Sequence, residues 1–440
     1  MLGRETGARG SWWQGAIVAV LAAAAIGCGV GPETGGGAPG DVETVRSALG
    51  VSWPSTGTET DVSPAFGAFF GSTVSTNGTS IAATRLPVSG SGLGTTQVWQ
   101  HTTTGWLPTF SWPTQGADHH PVAVLGPSWL WIGEPCNQDT AGCAGRLYGF
   151  WFNGTSWFEL VQVVSSSNAW DFGSALAWDE NTQILAVAGG GSVSVYTATP
   201  SFFGFEYALS QPSSPYLGSG FGSAVAVTKN AIAVSAPGGE RLVISRPRGP
   251  IQIIRSPGYV YLFGSSVTTL TGVGAEGPSG SPSFGASLSA SLDGTSLAVG
   301  AGHEVGRDLT TYVYRLGSTG TWSLSNTILA PSGATGTDIS VGIDNYLAIT
   351  TDAPGSTTAA TLQFYQLGGF LGPTLDATIS LTDGVTAPVS LRAGRAIVGQ
   401  PDFFGDVGYI GTYAASSAVI VAQGLGSGLT TAAAAPAAAP

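Results

Sequence analysis

The chain has 440 residues, only 9% of them charged, with Lys+Arg at 14 against Asp+Glu at 26 and a formal net charge of -12. Lys229 is its sole lysine, and so acidic and lysine-poor a composition argues against nucleic acid as a partner, because that binding depends on clustered cations. Gly at 67 and Pro at 26 argue against long helices and for many short turns. The chain opens with Arg4 and Arg9 ahead of a short apolar run, AIVAVLAAAAI at 16–26, which ends at Gly27-Cys28. A basic start, a short apolar core and small residues at the cut are the marks of an export signal. The run is well short of the roughly 20 apolar residues that a spanning helix needs.

Ala25-Ile26-Gly27-Cys28 resembles a bacterial lipobox, with Ala where Leu is usual. The resemblance implies cleavage before Cys28, diacylation of its sulfur and acylation of the new amine. Residues 1–27 are then a lipoprotein signal peptide, and Cys28 is the lipid anchor to a membrane. Gly29 in the next position implies, by the same likeness, sorting to the outer membrane or cell surface. An ordinary secretory signal with an incidental Cys is the alternative. Residues 28–44, which include GVGPETGGGAPG at 29–40, read as a flexible tether of the Gly-rich kind.

A repeat dominates the rest. Its copies are FGSTVSTNGTSIAAT at 70–84, DHHPVAVLGPSWLWIGEP at 118–135, FGSALAWDENTQILAVAGG at 172–190, FGSAVAVTKNAIAVSAP at 221–237, FGASLSASLDGTSLAVGAG at 284–302, TDISVGIDNYLAITTDAP at 337–354 and TAPVSLRAGRAIVGQP at 386–401. Units at intervals of about fifty residues fall in the range of solenoids and propellers. Runs such as Leu297-Ala-Val-Gly300 are apolar and of strand length, and turn residues such as Asn77-Gly78 and Asp293-Gly294 bound them. Aromatic strands follow, for example YVYLF at 259–263 and TYVY at 311–314, then often a Gly-aromatic turn such as Gly320-Thr321-Trp322. Three to four strands per unit, repeated seven times, predict an all-β ring of seven blades. Six or eight blades remain open, because copies 2, 6 and 7 rest on spacing and on Pro135, Pro354 and Pro401. The small residues of the Leu-Ala-Val-Gly-Ala strand suit a crowded inner position, and the aromatics suit the gaps between blades. Gly after Phe lets the backbone turn with positive φ or approach a neighbour closely. Either the stretch 41–65 or Ala418-Val-Ile-Val421 supplies the strand that closes the ring.

The Phe-Gly units, clearest at Phe70-Gly71, Phe172-Gly173, Phe221-Gly222 and Phe284-Gly285, resemble FG-GAP repeats. That family builds the seven-bladed β-propeller of integrin α-subunits and of many bacterial surface proteins. The resemblance implies a propeller over 45–424 and a binding or adhesion role. Many repeats of the family carry an alternating Asp loop for calcium. Here the loops read STNGTS at 75–80, TKNA at 228–231 and SLDGTS at 291–296, while Asp179-Glu180 sets two carboxylates side by side. A hard cation needs several oxygen ligands, so neither calcium nor any other metal or cofactor is expected.

Two further features sit in the loops. Cys136 and Cys143, seven apart, remain as an even pair once Cys28 is lipidated. In an oxidising compartment they read as a local disulfide, worth roughly 2–3 kcal/mol in the chain-entropy model. Repeat 4 carries an insertion, GGERLVISRPRGPIQIIRS at 238–256, with Arg241, Arg246, Arg248 and Arg255. Its two apolar runs predict a protruding hairpin, a ready contact surface for an acidic or carboxylate-bearing protein or glycan. A hairpin with merely solvated charges is the alternative. The end of the chain, 425–440, is low in complexity and expected to be disordered.

Catalytic signatures are weak. Asp118-His119-His120 is similar to a phosphoesterase motif, yet only His101 and His303 remain as further histidines. Gly272-Val-Gly-Ala-Glu-Gly277 is followed by Pro278 rather than by a helix that could hold a phosphate. Asp402 with Asp406, or Asp179 with Glu180, are the candidate acid/base pairs. The expectation is therefore a surface-anchored, non-enzymatic binding propeller. A propeller-based glycan hydrolase or lyase, or a structural envelope protein, are the alternatives.

Overall fold

The computed structural model describes residues 55–59, 69–86, 94–114, 121–135, 145–165, 171–213, 220–238, 240–244, 251–255, 258–272, 283–302, 309–329, 339–351, 360–367, 372–381, 387–400 and 409–415. They contain thirty strands and no helix. Blade 1 is β2 (Val74–Thr76), β3 (Ser80–Arg85), β4 (Thr95–Thr102) and β5 (Gly105–Pro113); blade 2 is β6 (Val122–Leu125), β7 (Trp129–Glu134), β8 (Arg146–Phe152) and β9 (Trp157–Val164). Blade 3 is β10 (Ala175–Asp179), β11 (Ile184–Gly189), β12 (Ser192–Thr199) and β13 (Phe202–Ser210). Blade 4 is β14 (Val225–Val227), β15 (Ile232–Ala236), β18 (Tyr259–Phe263) and β19 (Val267–Thr271), with β16 (Glu240–Ile244) and β17 (Ile251–Arg255) inserted. Blade 5 is β20 (Ser283–Ala290), β21 (Ser296–Gly302), β22 (Thr310–Leu316) and β23 (Trp322–Leu329); blade 6 is β24 (Ile339–Ile343), β25 (Tyr346–Thr351), β26 (Thr361–Gln366) and β27 (Thr374–Ser380). Blade 7 is β28 (Val389–Arg392), β29 (Arg395–Gln400) and β30 (Tyr409–Ala414), completed by β1 (Ser55–Glu59) from the other end of the chain. The molecule is a seven-bladed β-propeller, and the three weakest copies of the repeat each build a full four-stranded blade.

The ring closes through its N-terminal side. β1 pairs antiparallel with β30, Ser55 opposite Tyr413 and Glu59 opposite Ile410, and the Thr56 hydroxyl donates to Thr412 Oγ1 at 3.0 Å. Of the two candidate closing segments, 41–65 supplies the strand; 418–421 lies outside the described residues. The first strands of consecutive blades touch one another all round the ring. This corrects one expectation: the innermost strand is the one after Phe-Gly, and the Leu-Ala-Val-Gly-Ala strand is second from the axis. Its small residues relieve crowding between neighbouring sheets rather than at the channel. Gly133 and Gly173, on adjacent blades, show why: a methyl on Gly173 would lie 3.0 Å from the Gly133 Cα.

Among the described residues no single central core forms. The apolar interior is divided into seven wedges, one between each pair of adjacent sheets. The Phe of each Phe-Gly unit plugs the wedge facing the preceding blade: Phe70 joins Ile397 and Ile410 of blade 7, Phe172 joins Trp129 and Trp131 of blade 2, Phe221 joins Ala188 and Val193 of blade 3, and Phe284 joins Val260 and Leu262 of blade 4. The following Gly has φ of 91° at Gly71, 95° at Gly173 and 91° at Gly222. In each case the carbonyl two residues before that Gly accepts from the amide of the residue after it, as in Asp171 O from Ser174 N at 2.9 Å. That is the turn geometry in which a third-position glycine is required. Aromatic side chains fill the wedges as expected, for instance Trp129 stacked on Trp131 at 4.7 Å with Trp178 edge-on to Trp129.

Candidate functional site

The repeat distributes its connections unequally between the two ends of the ring. Phe-Gly turns, connections between second and third strands and connections between blades all fall at one end, the loop face. Turns between first and second and between third and fourth strands fall at the other, the turn face. The turn-face bends are held by their own side chains: Asn77 Oδ1 accepts from the Thr79 and Ser80 amides at 2.9 and 2.7 Å, and Asp179 accepts from Asn181 and Thr182.

The insertion of repeat 4 lies on the loop face and is a hairpin, as its two apolar runs predicted. β16 and β17 form a two-stranded sheet separate from every blade, with Glu240 opposite Arg255, Arg241 opposite Ile254 and Leu242 opposite Ile253. Arg241 and Arg255 therefore sit near the base of the hairpin. Arg246 and Arg248 lie outside the described residues, in the stretch that joins the two strands.

A groove of about 390 Å³ opens on the same face between blades 3 and 4, beside the root of this hairpin. Asp171, Ser174, Gln211 and Ser223 line it together with Gly190 and Gly191. The cause is local. Blade 3 joins its second and third strands through only those two glycines, both at positive φ of 60° and 74°, so nothing rises there to cover the neighbouring blade. A methyl on Gly220 would lie 3.6 Å from Pro237, the residue before the insertion, so the rim of the groove lies next to the point where the insertion starts. Asp171, Ser174 and Ser223 are exposed, a set of hydroxyl and carboxylate groups suited to hydrogen bonding rather than to apolar burial.

The channel is the other place where chemistry collects. Its inner cavity of about 120 Å³ is lined by residues such as Val124, Leu176, Val225 and Ala290, and by one cation, Arg392 at the end of β28. Arg392 Nη1 is enclosed and has no hydrogen-bond partner among the described residues. Desolvation lowers the pKa of this guanidinium, while the Asp344 and Asp179 carboxylates act in the opposite direction. Towards the turn face, Trp178 Nε1 donates to Glu180 Oε2 at 2.8 Å and Asn181 Nδ2 donates to Leu292 O at 3.3 Å, tying blade 3 to blade 5. Asp179 and Glu180 thus serve as acceptors for groups of their own turn. No cluster of three or more His, Cys, Asp or Glu suited to a metal occurs among the described residues.

Several sequence candidates fall elsewhere. Cys28, Cys136, Cys143, the Asp118-His119-His120 triplet, His303, Asp402 and Asp406 lie outside the described residues. His101 packs edge-on against Trp106 at 4.9 Å; burial, and then Arg395, lower its pKa. Two features went unread in the sequence. The groove between blades 3 and 4 had a signal in Gly189-Gly190-Gly191, a connection shorter than its counterparts. Arg392 had one in a charged residue ending the otherwise uncharged inner strand VSLR.

No protein-family model matches the chain, and no curated protein matches it. Solved structures do. The WD40 repeats of RRP9 align with a TM-score of 0.51 at 10% identity, over 83% of this chain and 100% of that one. The likeness is one of fold. Hydrazine synthase of Kuenenia stuttgartiensis aligns at a TM-score of 0.40 and 11% identity over 62% of this chain and 71% of its own. Hsv2 of Kluyvelomyces marxianus aligns at 0.46 and 7% over 77% and 90%.

Proposed function

We propose that the chain is a non-enzymatic binding module of the FG-GAP type, whose loop face between blades 3 and 4 holds an acidic or carboxylate-bearing protein or glycan. The observation that carries this reading is the hairpin β16–β17: among the described residues its two strands pair only with each other, and its segment holds four of the fourteen cationic residues of a chain of net charge -12. A rigid ring presenting a variable loop is a common design for recognition. The polar groove at its root extends the surface available to a ligand. What supports a non-catalytic role is that Asp179 and Glu180 are engaged by their own turns.

The same proposal includes export and anchoring through lipidated Cys28, on the outer membrane or cell surface, and a Cys136–Cys143 disulfide. A Cys28→Ser variant should leave the membrane fraction and lose labelling by a fatty-acid analogue; retention of both label and membrane association contradicts the anchor. The binding role is tested by a variant with Arg241, Arg246, Arg248 and Arg255 all changed to Ala. Partner capture from cell envelopes should fall by at least about tenfold, as expected for losing charge-assisted contacts. Undiminished capture overturns the role of the hairpin.

A further inference from the structure

A second groove, of about 270 Å³, lies on the turn face between blades 5 and 6, away from the hairpin. Blade 5 contributes Asp293 from the turn between β20 and β21, and Arg315, which stands opposite Ser296 in β22. Blade 6 contributes Asp344 and Asn345 from its own first turn, and Tyr346, which stands opposite Gln366. Two carboxylates, a guanidinium, two carboxamides and a phenol ring thus converge on one space.

These groups are positioned before any ligand arrives. Asp293 Oδ1 accepts from the Ser291 hydroxyl at 2.6 Å and the Thr295 amide at 3.0 Å, and Oδ2 accepts from the Thr295 hydroxyl at 2.7 Å. Asp344 Oδ2 accepts from the Ala393 amide of blade 7 at 2.7 Å, and its other oxygen has no hydrogen bond among the described residues. Among the described residues Arg315 donates to the Leu367 carbonyl alone, at 3.5 Å. It lies near enough to Asp293 to help lower that carboxyl's pKa, yet the two form no ion pair. The groove therefore presents both hydrogen-bond acceptors and donors.

The chemistry of the walls selects a ligand. A simple anion meets two carboxylates, a bare cation meets the guanidinium, and an apolar molecule strips water from groups it cannot hydrogen-bond. A hydroxyl both donates and accepts, and adjacent hydroxyls suit the paired atoms of a carboxylate or a guanidinium. The Tyr346 ring offers an apolar surface to the carbon skeleton between them. We propose that this groove is a binding subsite for a neutral saccharide residue.

The test is saturation-transfer NMR on the full chain with glucose, galactose, mannose and N-acetylglucosamine as separate probes, and glutamate as a zwitterionic control. At least one sugar should receive transfer. Its affinity should fall about tenfold or more in Arg315→Gln and in Asn345→Ala, the loss expected for a charge-assisted or bidentate contact. Both residues are exposed, so the melting temperature should stay unchanged, and that measurement separates a lost contact from a lost fold. The quadruple Arg→Ala hairpin variant should bind the sugar normally, so failure here and failure of the loop-face reading are distinguishable. Transfer to no sugar, transfer to glutamate alone, or equal affinity in both variants overturns the proposal.

Discussion

Gly173 and Gly154 both hold positive φ, 95° and 97°, but in different surroundings. A methyl on Gly154 meets nothing within 4 Å, whereas on Gly173 it would lie 2.9 Å from the Arg146 carbonyl and 3.0 Å from Gly133 Cα. Gly154→Ala should therefore cost about 1 kcal/mol, the strain of the backbone alone. Gly173→Ala should cost about 2–4 kcal/mol, because overlap between two sheets adds to that strain. Denaturant unfolding of the two variants compares them; equal losses would contradict the account of Phe-Gly as a device for inter-blade contact. A second residue-scale test uses pH. Burial, with Tyr312 adding, pushes the Tyr314 hydroxyl up to about 12. An unfolded tyrosine ionises near 10, so its contribution to stability is complete below about pH 10 and is lost as pH rises from there to about 12. Tyr314→Phe should reduce the slope of melting temperature against pH in that window; an unchanged slope contradicts the assignment. Asp293 runs the other way. Burial raises its pKa, but hydrogen bonds from Ser291 and Thr295 and the charge of Arg315 outweigh that and hold it below the ordinary carboxylate range. Its support is present above the unfolded pKa near 3.9 and disappears as pH falls through the lower folded value. At this scale the positive-φ glycines were legible because Phe-Gly recurs in a fixed frame. Arg392 was not, because alternation in β28 does not say which of its faces lines the channel.

At the scale of elements, the blades were legible, while the closing strand was narrowed to two segments, 41–65 and 418–421, of which the first supplies it. Strands such as β15 and β21 are apolar and bounded by turn residues, and each lies where its repeat predicts. β1 reads STGTE, with no apolar alternation to mark it, and it is the outer strand of blade 7. The order of strands from the axis was misread for a related reason: first and second strands are both small and apolar, and the sequence does not distinguish packing against a channel from packing against a sheet. Removing 48–60 should unpair β30, expose a sheet edge and lower the melting temperature by on the order of 5 °C or more. A truncated chain as stable as the parent would show that β1 does not close the ring. The hairpin β16–β17 behaves oppositely. It pairs with no blade, so replacing 238–256 by a short turn should leave the melting temperature within about 2 °C.

Across the whole molecule, the ring divides its labour between two ends. The turn face is built from short bends that hold themselves and one another, as when Asn77 Nδ2 donates to Gly126 O at 2.8 Å across blades 1 and 2. The loop face carries the variable connections, the groove at Gly190-Gly191 and the one inserted sheet. The repeat made the ring predictable, because seven similar units impose one architecture. It makes the proposed site hard to read for the same reason: that site lies where a unit departs from the repeat, through two glycines in blade 3 and nineteen extra residues, 238–256, in blade 4. The most direct test of the account is affinity capture from native cell envelopes with the full chain and with the version that replaces 238–256 by a short turn, read by mass spectrometry and glycan analysis. The account predicts an acidic protein or glycan captured by the full chain and lost with the hairpin while the fold stays intact. The same partner held equally by both versions, or none held by either, would contradict a binding site on this face.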